Sequence, residues 1–322
     1  MYINGYELYG ELEAENSGFS KWGFCRKNGR EYFIKEFLYP TYPVGDMVRE
    51  NLSPEQIAKR IRECREFEKR LINIYSMINR VSDGNIVRIK DFFRFNSKYY
   101  IITDKVPNSE LTVERISRLP YEDKKFICKI VSHAILRLHD QGFIHADIKP
   151  NNILIGSDGR NYKYTAKIID FDCGFFGTEP PEPGTELNGD PVYFAPEMVM
   201  HMMEEEVALS CKIDVFSLGV LFHQYMTGKQ PIYDTSNYDY VTEAILEESP
   251  VAIDSSIPHE FAVIISKMLI KNPQDRISLQ EVYDSIKLEH KEPAARYEEP
   301  PVRHEEKISN SKIKIYQGNK NN

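Results

Sequence analysis

The feature that most constrains this 322-residue chain is a long helical stripe set between segments of strand pattern. Ser53 has the chemistry of an N-cap, Pro54 suits the first helical position, and Gln56 completes a capping box. From there Ile57, Ile61, Cys64, Leu71, Ile74, Tyr75, Ile78 and Val81 recur at helical spacings and predict one apolar face, which Asp83-Gly84 ends. Before the helix, alternating patterns predict strands over residues 6–12, 22–26 and 32–37, with Asn28-Gly29 as the hairpin turn between the last two. After it, residues 86–95 and 99–106 read as two more strands.

From about Tyr121 the periodicity turns helical. Phe126, Ile127, Ile130, Ala134 and Leu138 predict a stripe closed by Gly142, and further helices are predicted over residues 214–227, 259–270 and 278–286. The fold class implied is α+β, a strand-rich first lobe joined to a helix-rich second lobe, with no internal repeat. Beyond residue 288 Lys, Glu, Pro, Arg and Asn dominate, and residues 289–322 read as a charged, flexible tail.

Composition narrows the function classes. Hydrophobic residues make up 41% and charged residues 28% of the chain, enough apolar material for one large two-lobed domain. The formal net charge of -8 argues against nucleic acid or a membrane surface as a general partner. The first ten residues carry no basic stretch followed by an apolar run, so no signal peptide is expected, and no segment has the roughly 20 apolar residues of a membrane span. Cys25, Cys64, Cys128, Cys173 and Cys211 are odd in number and far apart, which predicts reduced thiols and a cytoplasmic protein.

The sharpest local signal runs from His145 to Leu154: His-Ala-Asp-Ile-Lys-Pro-Asn-Asn-Ile-Leu. An acid, a base and an amide stand at fixed offsets, Pro150 keeps the segment from being a simple helix, and Ile153, Leu154 and Ile155 anchor it to a core. A single Asp or Asn here reads as a turn residue; the combination reads as a site. The stretch resembles the catalytic loop of eukaryotic-type serine/threonine protein kinases. The resemblance implies that Asp147 accepts the substrate hydroxyl proton, Lys149 steadies the transferring phosphoryl group, and Asn152 holds a metal ion. A lysine two residues after the aspartate is similar to the serine/threonine class rather than the tyrosine class.

Other motifs of that family follow in order. Ile168-Ile169-Asp170-Phe171-Asp172 resembles D-F-G, so Asp170 is expected to bind the metal that bridges the ATP phosphates and Phe171 to pack beneath the long helix. Gly189-Asp190-Pro191-Val192-Tyr193-Phe194-Ala195-Pro196-Glu197 resembles the end of an activation segment, Asp214 to Gly219 the start of the buried helix beneath it, and Arg276 the arginine that pairs with Glu197. The implied architecture is a bilobal protein-kinase-like fold over residues 1–288: a small antiparallel sheet lobe with one long helix (about 1–103), a hinge (about 104–107), and a larger, mainly α-helical lobe (about 108–288).

Tyr32-Phe33-Ile34-Lys35 resembles the strand that carries the phosphate-pairing lysine. Its acidic partner is chosen by periodicity. Glu63 and Glu66 lie near a cationic helix face with Lys59, Arg62, Lys69 and Arg70, whereas Glu68 interrupts the apolar stripe between Cys64 and Ile72. A carboxylate facing a core requires a cation, and Lys35 is the expected one.

The chain also departs from the family pattern. Of the glycine-rich loop only Gly18 matches; Phe33 replaces the small residue expected above adenine, where a ring crowds the nucleotide or stacks on it; Asp172 replaces the D-F-G glycine. Asp190 stands in place of a threonine and could pair with Lys149 instead. Ala146 replaces the arginine that receives an activating phosphate, so no dependence on activation-segment phosphorylation is expected. Thr103 fits a small gatekeeper, with the backbones of Asp104 and Val106 expected to bond adenine and Leu154 to line its site. The expectation is a cytoplasmic enzyme using ATP with Mg²⁺, or Mn²⁺ in its place, on a protein substrate. The rival readings are a kinase-fold pseudokinase serving as a binding scaffold, favoured by Phe33, the degenerate loop and Asp172, and a small-molecule phosphotransferase, opposed by Lys149 and by the segment from Gly189 to Glu197.

Overall fold

The computed structural model describes residues 1–14, 20–45, 52–106, 111–156 and 164–288. The described chain divides into two compact units, one comprising residues 1–82 and 87–105, the other residues 83–86 and the chain from Val106.

The first unit is a six-stranded antiparallel sheet with one helix: β1 (Tyr2–Ile3), β2 (Tyr6–Leu8), β3 (Ser20–Lys27), β4 (Arg30–Phe37), α1 (Pro54–Val81), β5 (Ile89–Phe95) and β6 (Lys98–Asp104), in the order β1-β2-β3-β4-β6-β5. Asn28 and Gly29 both take positive φ, 51° and 76°, as a two-residue hairpin turn of this hand requires. The strand expected over residues 6–12 is shorter than its pattern. Gly10, at φ +86°, breaks it, and Glu13 rejoins the sheet only as a bridge to Trp22. A further strand, β1, precedes it, turned back by Asn4-Gly5 at φ 48° and 80°.

The two faces of the sheet are both apolar. One buries Ile3, Tyr6, Leu8, Cys25, Ile34, Phe93, Tyr100 and Ile102 as a continuous core. On the other, Phe37, Phe92 and Tyr99 interlock with Phe67 of α1, with ring centroids 5.2–6.3 Å from Phe67. The capping box of α1 forms as read: the Gln56 N–H donates to Ser53 Oγ at 3.2 Å and the Ser53 N–H donates to Gln56 Oε1 at 2.8 Å. Cys64, Leu71, Ile74, Tyr75, Ile78 and Val81 are buried, with Met77 added to the stripe, while Ile57 and Ile61 near the N-terminus are half-buried.

The second unit is mainly helical. Its elements are α2 (Val113–Ser117), α3 (Tyr121–His139), β7 (Phe143–Ile144), β8 (Ile153–Gly156), β9 (Thr165–Ile168), β10 (Phe175–Phe176), α4 (Pro196–Met202), α5 (Lys212–Thr227), α6 (Val241–Leu246), α7 (His259–Met268) and α8 (Leu279–Ser285). Helix α5 is buried over nearly its whole circumference, which explains its continuous rather than striped hydrophobicity. Gly219 allows α7 to approach it: a Cβ there would lie 2.9 Å from Met268 Cβ. Of the expected stripe of α3, Ile127, Ala134 and Leu138 are buried, together with Cys128, Val131 and Ile135, while Phe126 and Ile130 are half-buried at its edge.

All five cysteines are free. Among the described residues no helix is long and apolar enough to cross a membrane.

Candidate active site

The segment from His145 to Asn152 is held by an acid far along the chain. Asp214, at the start of α5 and fully buried, accepts the backbone N–H groups of His145 (2.8 Å) and Ala146 (2.9 Å) on its two oxygens, and His139 Nε2 lies 2.9 Å from Oδ2. Burial alone would push this carboxyl up; the hydrogen bond and charge of His139, and then His145, outweigh it and hold the carboxyl below its ordinary range. Ala146 sits at φ +61°, a strained angle for a residue with a Cβ, and Asp214 accepts its N–H and that of the residue before it. Sequence reasoning placed Asp214 only at a helix start. The available signal was an acid opening a helix that is otherwise apolar all round.

The His145 ring is buried and carries its proton on Nε2, which donates to the Ile169 carbonyl at 3.1 Å, because Nδ1 accepts the Asp147 N–H at 3.3 Å. The ring lies 5.5 Å from that of Phe171, which also packs on Phe143. One imidazole thus ties the loop to the strand that leads to Asp170.

Asp147 is 8% exposed. Its Oδ2 accepts Asn152 Nδ2 at 2.7 Å and is 2.9 Å from the Lys149 ammonium. Its Oδ1 is buried and has no hydrogen-bond partner among the described residues. The Asn152 amide also donates to the Asp147 carbonyl at 2.8 Å, so Nδ2 faces Asp147 and Oδ1 faces away. The Ile169 N–H donates to the Asn152 carbonyl at 3.0 Å, and β8 pairs with β9 through Ile153 and Ile168 and through Leu154 and Lys167. The residues expected to handle the hydroxyl and the metal, Asp147, Lys149, Asn152 and Asp170, therefore lie on hydrogen-bonded neighbouring segments. Asp170 is half-buried at φ +59°.

The Asp170 carboxylate and the Asn152 Oδ1 are hard oxygen donors of the kind Mg²⁺ prefers. Among the described residues no group of three or more His, Cys, Asp or Glu side chains forms a protein-only metal site. A cation at Asp170 and Asn152 would draw its other ligands from phosphate and water.

The segment from Gly189 to Glu197 corrects one expectation. Asp190 does not reach Lys149: its Oδ1 accepts the Val192 N–H at 3.1 Å and caps a short 3₁₀ turn, while Lys149 takes the nearer carboxylate of Asp147. The expected Glu197–Arg276 pair is present, with two parallel bonds of 2.7 and 2.9 Å between residues that are both almost fully buried.

In the first unit, Lys35 is half-buried on β4, opposite Trp22 and Ile101, with its ammonium 5.9 Å from the centre of the Phe37 ring. Glu68 is half-buried on α1 and accepts the Tyr99 hydroxyl at 2.7 Å. Glu63 instead accepts the hydroxyl of Tyr39, and Glu66 is exposed. Phe33 shares the Lys35 face of β4; its ring stacks on Trp22 (6.0 Å, 19°) and meets Phe24 edge-on. Thr103 is buried, and Asp104 closes β6 opposite Tyr32 with its side chain 2.9 Å from Lys90. In the second unit Val106 and Leu154 are half-buried; Gly18 lies outside the described residues.

Comparison with known proteins agrees with this arrangement. The family model described as Protein kinase domain matches residues 50–286. The strand bearing Lys35 precedes that match. The chain is 31% identical over 205 residues to Aurora kinase A-A of Xenopus laevis, covering 62% of this chain and 46% of that protein. It is 31% identical over 263 residues to the Aurora kinase of Schizosaccharomyces pombe, covering 80% and 66%, and 26% identical over 269 residues to the cell cycle serine/threonine-protein kinase CDC5/MSD2 of Saccharomyces cerevisiae, covering 81% and 37%. The matches thus span about half to two thirds of the length of the Aurora relatives. With the family match running from α1 to the end of α8, this chain belongs to the protein kinase domain family.

Proposed function

We propose that the chain is an ATP-dependent protein serine/threonine kinase, active in the cytoplasm, with residues 1–288 as its kinase domain and a hinge at about residues 104–107. The observation that carries the reading is the buried, partnerless Oδ1 of Asp147. A buried carboxylate oxygen without a donor is costly and calls for an explanation, and a substrate hydroxyl is the donor it lacks. Asn152 and Lys149 hold the other oxygen, so the carboxylate cannot rotate away. Asp147 then orients the attacking hydroxyl and takes its proton; Lys149, beside it, counters charge on the group in transfer.

When bound, Mg-ATP supplies the γ-phosphoryl group together with a cation that neutralises its oxygens. Asp170 and Asn152 Oδ1 hold that cation, and Lys35, oriented by Glu68, binds phosphate. The backbones of Asp104 and Val106 bond the adenine, with Leu154 and the segment around Gly18 lining the nucleotide. The segment from Gly189 to Glu197 receives a polypeptide, and Lys149 favours serine and threonine over tyrosine hydroxyls.

Incubating the purified protein with labelled ATP and Mg²⁺ or Mn²⁺ and generic protein substrates, followed by phosphosite mapping, tests the reading. Label on serine and threonine that disappears in Asp147→Ala, Asp170→Ala and Lys35→Met variants of unchanged melting temperature supports it. Each variant should lose several kcal/mol of transition-state stabilisation. Near-normal transfer by any of the three, or none by the wild type, rejects it.

A further inference from the structure

We propose that His201 is a positioning residue that holds the activation segment in its working shape without a phosphate. The proposal rests on the kinase reading above.

Residues 182–185, Glu-Pro-Gly-Thr, have the composition of a type II turn, with proline second and glycine third. Gly184 takes φ +78°, and the Thr185 N–H closes the turn on the Glu182 carbonyl at 3.0 Å. The turn is pinned to the end of α4 at two points. His201 Nε2 is 3.1 Å from the Glu182 carbonyl, which accepts its proton. The Gly184 N–H donates to the His201 carbonyl at 2.9 Å, the same carbonyl that accepts the Glu204 N–H where the helix ends. One residue therefore grips both sides of one turn.

The grip reaches towards the reacting groups. Past the turn the chain runs to Gly189, where a Cβ would lie 3.5 Å from the Ala146 carbonyl, next to Asp147, and 2.6 Å from the Phe194 ring. At its other end the segment pairs β10 with β7. Between these ends, the contacts with His201 set where residues 182–189 run.

His201 is 2% exposed, and its Nδ1 is buried with no partner among the described residues. Donation from Nε2 to a carbonyl fixes the tautomer with a bare Nδ1, so the unsatisfied atom follows from the contact with Glu182. Burying an imidazole with one nitrogen unsatisfied needs a reason, and fixing the turn is one.

A phosphate is poorly placed to do the same work. Ala146 offers no cation, and Thr178 and Thr185 are exposed among Glu179, Glu182 and Glu186. Glu204 packs against the turn itself, since a Cβ on Gly184 would lie 2.8 Å from its Cγ. Added negative charge here meets repulsion.

The test compares wild type, His201→Ala, His201→Gln, Gly184→Ala and the Thr178→Ala/Thr185→Ala double variant. Two readouts are taken: amide exchange over residues 182–189, and steady-state kinetics with a peptide substrate and with ATP. His201→Ala should speed exchange of the Gly184 and Thr185 amides and lower kcat/KM for the peptide about tenfold or more, with KM for ATP unchanged. Glutamine, which can present one N–H at about the Nε2 position, should restore both. Gly184→Ala strains the turn at an exposed site and should act like His201→Ala even if the latter folds poorly. The threonine double variant and phosphatase-treated wild type should match untreated wild type. Unchanged exchange in both His201→Ala and Gly184→Ala, or a tenfold loss on phosphatase treatment, overturns the proposal. Wild-type protein with no transfer at all but with exchange that responds to His201 rejects the kinase reading and not the contact.

Discussion

The Tyr99 hydroxyl donates to Oε1 of Glu68 at 2.7 Å, joining a strand to the long helix. Tyr99 is 1% exposed; burial first, and then the bond to Glu68, raises its pKa far above the ordinary value, so it acts as a fixed donor. Among the described residues Glu63 and Glu66 receive no such bond from the sheet. Glu68→Gln should therefore lower turnover at least tenfold, whereas Glu66→Gln should leave it unchanged. Tyr99→Phe leaves an oxygen of Glu68 without its donor and should cost about 1–3 kcal/mol of stability by urea unfolding. If Glu66→Gln is the damaging substitution, the helical phase assigned to α1 is wrong.

What was legible in the sequence was local. The capping box of Ser53 and Gln56, the stripe of α1 and the turn at Asn28-Gly29 need only neighbours within a few residues, and each formed. The Glu197–Arg276 pair is long-range, yet family motifs at both ends exposed it. Other contacts left no pattern. Asp214 holds a loop 68–69 residues away, and a single acid at a helix start does not say which backbone it accepts. An acid at position 190 can be matched with Lys149 from sequence, but its short side chain bonds the N–H two residues on, a local option Asp takes readily. The apolar pattern of α3 misses Lys125 and Ser132, which are buried but polar, and includes Phe126 and Ile130, which are apolar but half-buried. Lys125 is buried because its ammonium reaches the Lys287 carbonyl and Glu122.

Phe33 stands two residues before Lys35 on the same face of β4, and Trp22 and Phe24 hold its ring in place. A ring fixed by two neighbours cannot swing aside for a nucleotide. Phe33→Ala should tighten ATP binding several-fold by titration calorimetry while losing about 0.5–1.5 kcal/mol of aromatic pairing per contact in stability. Unchanged or weaker binding would show that the ring stacks on the nucleotide rather than crowding it.

The Arg276 guanidinium donates to both oxygens of Glu197 and to the carbonyls of Ile270, Lys212 and Lys271, all in the interior. Removing one partner strands a buried charge. Arg276→Met should destabilise the fold by about 3–5 kcal/mol in denaturant unfolding. Combining it with Glu197→Gln should cost clearly less than the sum of the two single variants, because the second change removes the stranded charge. Additive losses would show that the pair is not coupled.

His223, fully buried on α5, gives the fold a pH dependence. Its Nδ1 lies 2.8 Å from the Lys229 carbonyl and donates to it, and Nε2 accepts the Asp254 N–H at 3.1 Å. Protonating Nε2 would set one donor against another. Burial, the largest cause, lowers the pKa of His223 from its ordinary 6.5, and outweighs the opposite pulls of the Lys229 carbonyl and Asp254. A folded pKa below the unfolded value means that the unfolded chain binds the proton more readily. This residue's stabilising contribution is therefore complete above about pH 6.5 and lost as pH falls towards the folded pKa. Unfolding free energy measured in urea from pH 7.5 to 5.5 should decline more steeply for wild type than for His223→Asn, which has no group titrating in that window. At pH 7.5 the variant should be the less stable of the two, since asparagine fills less of the site and cannot span both backbone partners. Parallel pH profiles for the two proteins would show that the ring titrates alike in the folded and unfolded chains.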